Sequence, residues 1–223
     1  MALNVVTYFW GDQYSRDYVN KLKAGVARNL KQPHRFIVMT DKIVTEDCRP
    51  IPPEDLYLTQ MKGCFARLRL FDPAWQYLRE IKEGDRIVCM DLDAVVTGGL
   101  DALFDKPEPF SILQGINTTN PCPYNGSLWM LRAGYRPDVW TDFSLGAAAK
   151  IPKHSFPDDQ GWFWHKMPDA APYGPANGVY GFSKKGWPGG ERLPPNAKFV
   201  AFPGFRDPSQ FTHVRWVQDN WKL

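Results

Sequence analysis

Ile87-Val88-Cys89-Met90-Asp91-Leu92-Asp93 is a short apolar run that ends in two aspartates spaced two apart. Gly84 stands just ahead of it, where it stops whatever helix precedes. A bounded run of this length reads as a buried central strand. In extended chain, residues two apart point to the same side, so Asp91 and Asp93 can aim both carboxylates at one point. Open α/β sheets take their ligands beyond the carboxyl ends of the strands, which is where this pair stands.

The elements before it fit the same sheet. Asn4 to Phe9 is a β-branched and aromatic strand that closes at Trp10-Gly11-Asp12. Tyr18, Leu22, Val26 and Leu30 recur every four residues behind Ser15, which predicts a capped helix. Arg35 to Thr40 is the next strand, and strand, helix, strand opens a parallel α/β fold. Ile51 to Tyr57 is irregular, and Met61 to Phe71 has helical spacing. Asp72-Pro73 reads as an N-cap and first helical position, starting a helix that runs through Trp75, Leu78 and Ile81. After the aspartates, Phe110 to Leu113 and Ser127 to Leu131 are strand-like. From Pro152 onward proline, glycine and tryptophan crowd the chain, so loops are expected to build that face.

Composition limits the function classes. The chain has 223 residues, 43% hydrophobic and 23% charged, enough to bury its own core. Its net charge of +3 lacks the dense positive field of a protein built mainly to hold duplex DNA, yet leaves room for an anionic substrate. Cys48, Cys64, Cys89 and Cys122 show no zinc-ligand spacing and read as reduced, mostly buried thiols of a cytoplasmic protein. Met1 to Trp10 reads as a first strand rather than a signal peptide. No apolar run approaches the about 20 residues of a membrane span.

Two carboxylates offer oxygen donors only, a set that suits Mn²⁺ or Mg²⁺ with positions left for phosphate oxygens. Such an ion would neutralise a diphosphate leaving group. A plainer reading has one aspartate capping the next turn and the other solvated; the apolar strand directly in front counts against it. Asp91-Leu92-Asp93-Ala94-Val95-Val96 also resembles the first motif of haloacid-dehalogenase-like (HAD-like) phosphatases, with Asp91 as nucleophile. That motif usually opens its fold, whereas here a strand-helix-strand unit precedes it.

Taken together, the segments resemble GT-A-fold glycosyltransferases, particularly the family 8-like retaining enzymes that use UDP-sugars. Thr7-Tyr8-Phe9-Trp10-Gly11 is similar to their nucleotide-binding strand end, and Arg35 to Asp41 to their second strand. Phe65 to Pro73 resembles the helix whose basic residue faces the donor, and Leu100 to Phe104 follows the metal motif as it does there. Tyr124-Asn125-Gly126-Ser127-Leu128-Trp129-Met130-Leu131 resembles the strand lining the sugar site, with glycine and serine exchanged. Asp158-Asp159-Gln160 resembles the Asp-Gln pair near the reacting centre. The family's histidine metal ligand is missing, because Phe202-Pro203-Gly204-Phe205-Arg206-Asp207-Pro208 has proline in its place. His213 or Asp207 is then the substitute ligand, or diphosphate and water complete the set.

The resemblance implies an α/β GT-A fold with a mostly parallel sheet over residues 1–223 as one domain. Residues 1–105 would bind the nucleotide-sugar and residues 106–223 would face the acceptor. It implies a metal-dependent transferase, using Mn²⁺ or Mg²⁺ and a UDP-sugar, with retention. Asp91, Asp93 and His213 would hold the metal. Tyr8, Trp10, Gly11, Asp12, Tyr14, Arg67, Asp91, Leu92, Asp93, Asn125, Gly126, Ser127, Gly204 and Arg206 would bind the donor. Asp158, Asp159 and Gln160 would serve catalysis, unless the Asp158-Asp159 pair only caps the helix Gln160 to Lys166. Lys62 and Arg69 read as solvated charges, and His154 and His165 as structural histidines. Some of the nine tryptophans are expected to line a sugar-binding face. The acceptor is a glycan, a small molecule or a modified nucleic acid, hydroxylated DNA bases included. A non-catalytic nucleotide-sugar-binding protein is the remaining alternative.

Overall fold

The computed structural model describes residues 1–42, 48–116, 121–151 and 157–223; His154 lies outside them. The strands are β1 (Leu3–Phe9), β2 (His34–Thr40), β3 (Cys48–Pro50), β4 (Arg86–Met90), β5 (Ala94–Val96), β6 (Phe110–Gln114), β7 (Tyr124–Arg132), β8 (Ala171–Tyr173), β9 (Val179–Gly181) and β10 (Phe199–Ala201). The α-helices are α1 (Arg16–Asn29), α2 (Leu56–Thr59), α3 (Pro73–Leu78), α4 (Asp101–Phe104), α5 (Asp138–Thr141), α6 (Leu145–Ala148), α7 (Asp159–Lys166) and α8 (Arg215–Asn220). None is long and apolar enough to cross a membrane among the described residues.

Seven strands form one sheet in the order β3-β2-β1-β4-β7-β6-β8, and β7 alone runs against its neighbours. Both halves of the chain contribute to it. Alternation along each strand splits the core in two. Val6, Tyr8, Ile87, Cys89 and Trp129 face one apolar layer; Val5, Phe9, Val88, Met90 and Leu128 face the other, under Val19, Leu22 and Val26 of α1. A smaller sheet, β5-β10-β9, carries a third cluster of Phe182, Phe202, Trp216 and Trp221.

Several local expectations are met with adjusted ends. Ser15 occupies the N-cap of α1, though its side chain makes no capping hydrogen bond. The helix expected from Met61 starts only at Phe65 and is a 3-10 helix, Phe65–Phe71. Gly63 and Cys64 have φ of 109° and 56°, a left-handed stretch that no right-handed helix can include. Asp72 caps α3, accepting from the Ala74 amide at 2.9 Å, with Pro73 at the first position. The helix stops at Leu78 rather than Ile81 because Glu80 sits at φ 56°.

Two expectations need correction. Arg69 is no solvated charge: its side chain is 12% exposed, salt-bridged to Asp55 and Asp72, with the guanidinium 4.0 Å from the Trp140 ring centre. The tryptophans are largely core residues. Trp75, Trp129, Trp162, Trp216 and Trp221 are buried, Trp140, Trp164 and Trp187 pack against the clusters, and only Trp10 reaches the cleft described next.

Candidate functional site

The carboxyl ends of β1 and β4 lie side by side, with Thr7 opposite Met90 and its hydroxyl donating to the Met90 carbonyl at 2.8 Å. Because β7 runs the other way, its first residues meet that same edge, and the Asp91 amide donates to the Ser127 carbonyl at 3.1 Å. Ala94 pairs with Ala201, which brings Pro203 and Gly204 to the edge as well.

A cleft with two lobes opens there. The first lobe, about 240 Å³, is walled by Tyr8, Trp10, Gln13 and Tyr14. The second, about 260 Å³, is walled by Asn125, Ser127, Asp158, Gln160 and Gly204. Cys64, Arg67, Asp91 and Asp93 line both, so they form the divide. Aromatic rings wall one lobe, and polar side chains the other.

Arg67 organises the divide. It is 4% exposed, yet its guanidinium donates to Asp159 Oδ2 from Nε at 2.8 Å, to Asp91 Oδ1 at 2.5 Å and to the Gly126 carbonyl at 2.9 Å. Burial works against its charge, but Asp159 and Asp91 more than compensate and hold its pKa above the ordinary value. A side chain at position 126 would collide with the guanidinium, which explains why glycine stands there. Gly63 serves a similar end: a Cβ would press on the Pro157 carbonyl oxygen at 2.7 Å. That close approach lets the Gly63 carbonyl accept from the Asp159 amide at 2.8 Å.

The two adjacent aspartates at α7 separate into different jobs. Asp158 is its N-cap, accepting from the Gly161 amide at 2.7 Å and from Gln160 Nε2 at 3.0 Å. Asp159 is 1% exposed and turned to Arg67. Burial pushes its carboxyl up, against the pull of Arg67. Gln160 Oε1 accepts from the Gly126 amide at 3.2 Å, tying α7 to β7.

Asp93 is held by the Tyr14 hydroxyl, which donates to Oδ2 at 3.0 Å. Burial first, and the charge of Asp91 second, push the Asp93 carboxyl from 3.8 up to about 7. The fit to a divalent ion is therefore one of charge as well as of donor type: two converging carboxylates repel each other, and a cation between them would relieve it.

Folded Asp93 keeps a proton that the unfolded chain gives up, so its stabilising contribution is full below about pH 4 and lost as pH rises through about 7. Asp93→Asn removes that titration. In metal-free buffer the variant is expected to gain on the wild type between pH 5 and pH 8, by on the order of 1 kcal/mol, or about 2–4 °C in Tm. A Tm difference that stays constant with pH would contradict this account.

Most of the other expected residues fall outside the cleft lining. The Asp12 side chain is 99% exposed and pairs with Lys42 at 2.9 Å; the Gly11 amide donates to Asp41. Leu92 touches the first lobe while burying its side chain in the core. Arg206 lies with its guanidinium 5.0 Å from the centre of the exposed Phe205 ring. His213 is on the surface, bonded to Glu191 at 3.0 Å, and lines neither lobe. Asp207 caps a 3-10 helix, Pro208–Phe211, and accepts from the Tyr18 hydroxyl at 2.6 Å. His165 is exposed and rests against Trp162. Among the described residues no three His, Cys, Asp or Glu side chains are grouped to hold a metal. Gln13, Gly63, Cys64 and Pro203 line the cleft without having been singled out for it; only Gly63, a glycine just before a helix, carries a readable cue.

No protein-family model matches the chain, and no curated protein matches it by sequence. Solved structures do match in three dimensions. The galactosyltransferase LgtC, in complex with donor and acceptor sugar analogs, superposes with a TM-score of 0.60 at 12% identity, over 99% of this chain and 97% of that one. The glycosyltransferase GlyE of Streptococcus pneumoniae TIGR4 gives 0.65 at 13%, over 99% of this chain and 59% of that one. The fold is the GT-A fold. Mouse xyloside xylosyltransferase 1 shares it at a TM-score of 0.56 and 12% identity, over 91% of this chain and 98% of that one.

Proposed function

We propose that the protein transfers a sugar from a nucleotide-sugar, a UDP-sugar in the first instance, to an acceptor hydroxyl with retention of configuration. The observation that carries this is the two-lobed cleft with Asp91, Asp93 and Arg67 at its divide. A lobe walled by aromatic rings suits a base, one walled by polar side chains suits a sugar, and the diphosphate that joins them would cross the acidic pair. Asp91 and Asp93 would hold Mn²⁺ or Mg²⁺, with diphosphate and water completing the shell. When bound, the ion neutralises charge on the diphosphate.

The chain's own groups do the rest. Tyr8 and Trp10, 5.3 Å apart and edge to face, offer ring surface to the base. Asn125, Ser127 and Gln160 would offer hydrogen bonds to sugar hydroxyls, and Asp159, in the wall of the same lobe, would stabilise positive charge developing on the sugar ring. Retention is supported by the state of the carboxylates at this lobe. Asp158 is spent on capping and Asp159 on Arg67, so neither is free to deprotonate an acceptor. The sugar-to-phosphate bond would break as the acceptor oxygen bonds to the same carbon. The acceptor proton would pass to the departing phosphate oxygen.

A panel of nucleotide-sugars with Mn²⁺, read by thermal shift, tests the proposal. At about 100 times its Kd a cognate donor adds about 2.7 kcal/mol, roughly 5–10 °C in Tm. The rise should need Mn²⁺ and be largest for a UDP-sugar. No stabilisation by any nucleotide-sugar would defeat the reading. Trapping with a phosphate mimic tests the alternative, a haloacid-dehalogenase-like phosphatase with Asp91 as nucleophile. A non-catalytic nucleotide-sugar binder keeps one specific observation in its favour, the proline at 203 in place of a ligand. Donor hydrolysis in a single turnover, with and without Mn²⁺, separates it from an enzyme.

A further inference from the structure

The Tyr14 hydroxyl makes contacts that a base-stacking ring does not need. Its oxygen accepts from Gln13 Nε2 at 3.0 Å and it donates to Asp93 Oδ2 at 3.0 Å. With Asp93 ionised, as it would be beside a cation, the polarity is fixed by the partners: a side-chain amide nitrogen can only donate and a carboxylate can only accept. The proton of Tyr14 therefore points at Asp93.

The ring is held in place from behind. Its centre is 4.9 Å from that of Tyr18, which packs edge-on against Trp221 at 5.1 Å and donates to Asp207. Asp91 is treated in parallel, with its Oδ1 taken by Arg67. Each carboxylate thus has one oxygen anchored by a neighbouring side chain. An anchored carboxylate cannot rotate freely, so its second oxygen keeps a set direction. Outer-shell bonds of this kind typically change metal affinity by about 10–100-fold when removed.

We propose that Tyr14 is a positioning residue of the divalent-ion site, its hydroxyl fixing Asp93 so that the second oxygen faces the ion. The need is greater here because no third His, Cys, Asp or Glu is grouped with the pair among the described residues. The inference rests on the reading of Asp91 and Asp93 as ion ligands given above. It predicts that the hydroxyl and the ring of Tyr14 have separable roles.

Tyr14→Phe keeps the ring and deletes the hydroxyl. Mn²⁺ binding can be followed by electron paramagnetic resonance of the free ion, in the presence of saturating UDP. Tyr14→Phe is expected to bind Mn²⁺ about 10–100-fold more weakly than the wild type. Tyr18→Phe, which loses a hydroxyl in the same ring pair but does not touch Asp93, should bind Mn²⁺ like the wild type. Equal Mn²⁺ affinity in Tyr14→Phe and wild type overturns the positioning role and leaves the ion site standing. Equal weakening in Tyr18→Phe also overturns it, since packing alone would then explain the loss. A wild-type protein that binds no Mn²⁺, with or without UDP, removes the ion site and this inference with it.

Discussion

Replacing Arg67 with methionine should destabilise the protein by about 3–5 kcal/mol near pH 8, a fall of roughly 6–20 °C in Tm. The guanidinium is buried and sits between Asp159, which is 1% exposed, and Asp91, at 33%. Methionine fills a similar volume, so packing is largely kept. What is lost is the partner of a carboxylate that has no water to turn to. Asp159 would then stay protonated to higher pH than it does now, since burial would act with less opposition. The penalty must therefore depend on pH. A carboxyl whose folded pKa is raised gives its full stabilisation below about pH 4 and loses it as pH rises through the folded value. Melting curves should show Arg67→Met close to wild type near pH 4 and far below it at pH 8. Adding Asp159→Asn should recover much of the loss, because the neutral amide needs no counter-charge. If the double variant is as unstable as the single one, Arg67 acts through packing and the ion-pair account fails.

The divide in the cleft shows where sequence stops being sufficient. Asp91 and Asp93 were legible because strand periodicity and sheet edges are local rules: β4 delivers them just where an apolar run predicts. Arg67 was legible only through resemblance. Nothing in Phe65–Phe71 says that its guanidinium reaches 92 residues along the chain to Asp159. The exchanged glycine and serine of β7 looked like a loose match, yet Gly126 is the position that gives Arg67 its room. The pair at 158–159 illustrates the same limit. Capping and site roles were competing readings of two identical side chains, and the fold assigns capping to Asp158 and turns Asp159 to Arg67. The tryptophans misled for a related reason. Composition counts rings but cannot say which side of a sheet they face, and the aromatic clusters absorb nearly all of them.

Neutralising the two aspartates one at a time should cost activity alike and stability oppositely. Asp91→Asn and Asp93→Asn each remove one carboxylate of the pair that would hold the ion. If the ion contributes several kcal/mol to the reaction, either change lowers turnover by about 10²–10⁴-fold and abolishes the Mn²⁺-dependent thermal shift. Without metal the two variants part company. Asp93 is under repulsion from Asp91 and burial, so Asp93→Asn relieves a strain and should match or exceed the wild type at pH 8. Asp91 is half of what keeps Arg67 buried, with Oδ1 at 2.5 Å from the guanidinium. Weakening a hydrogen bond between charged groups costs about 1.5–3 kcal/mol, so Asp91→Asn should melt lower by roughly 3–12 °C. The pairing of readouts matters more than either alone. Equal loss of turnover with opposite changes in Tm is what an ion site built on one anchored and one repelled carboxylate demands. Should either variant keep more than about a tenth of wild-type turnover, that carboxylate is not a ligand, and Asp91 and Asp93 would have to be reread as parts of the Arg67 scaffold.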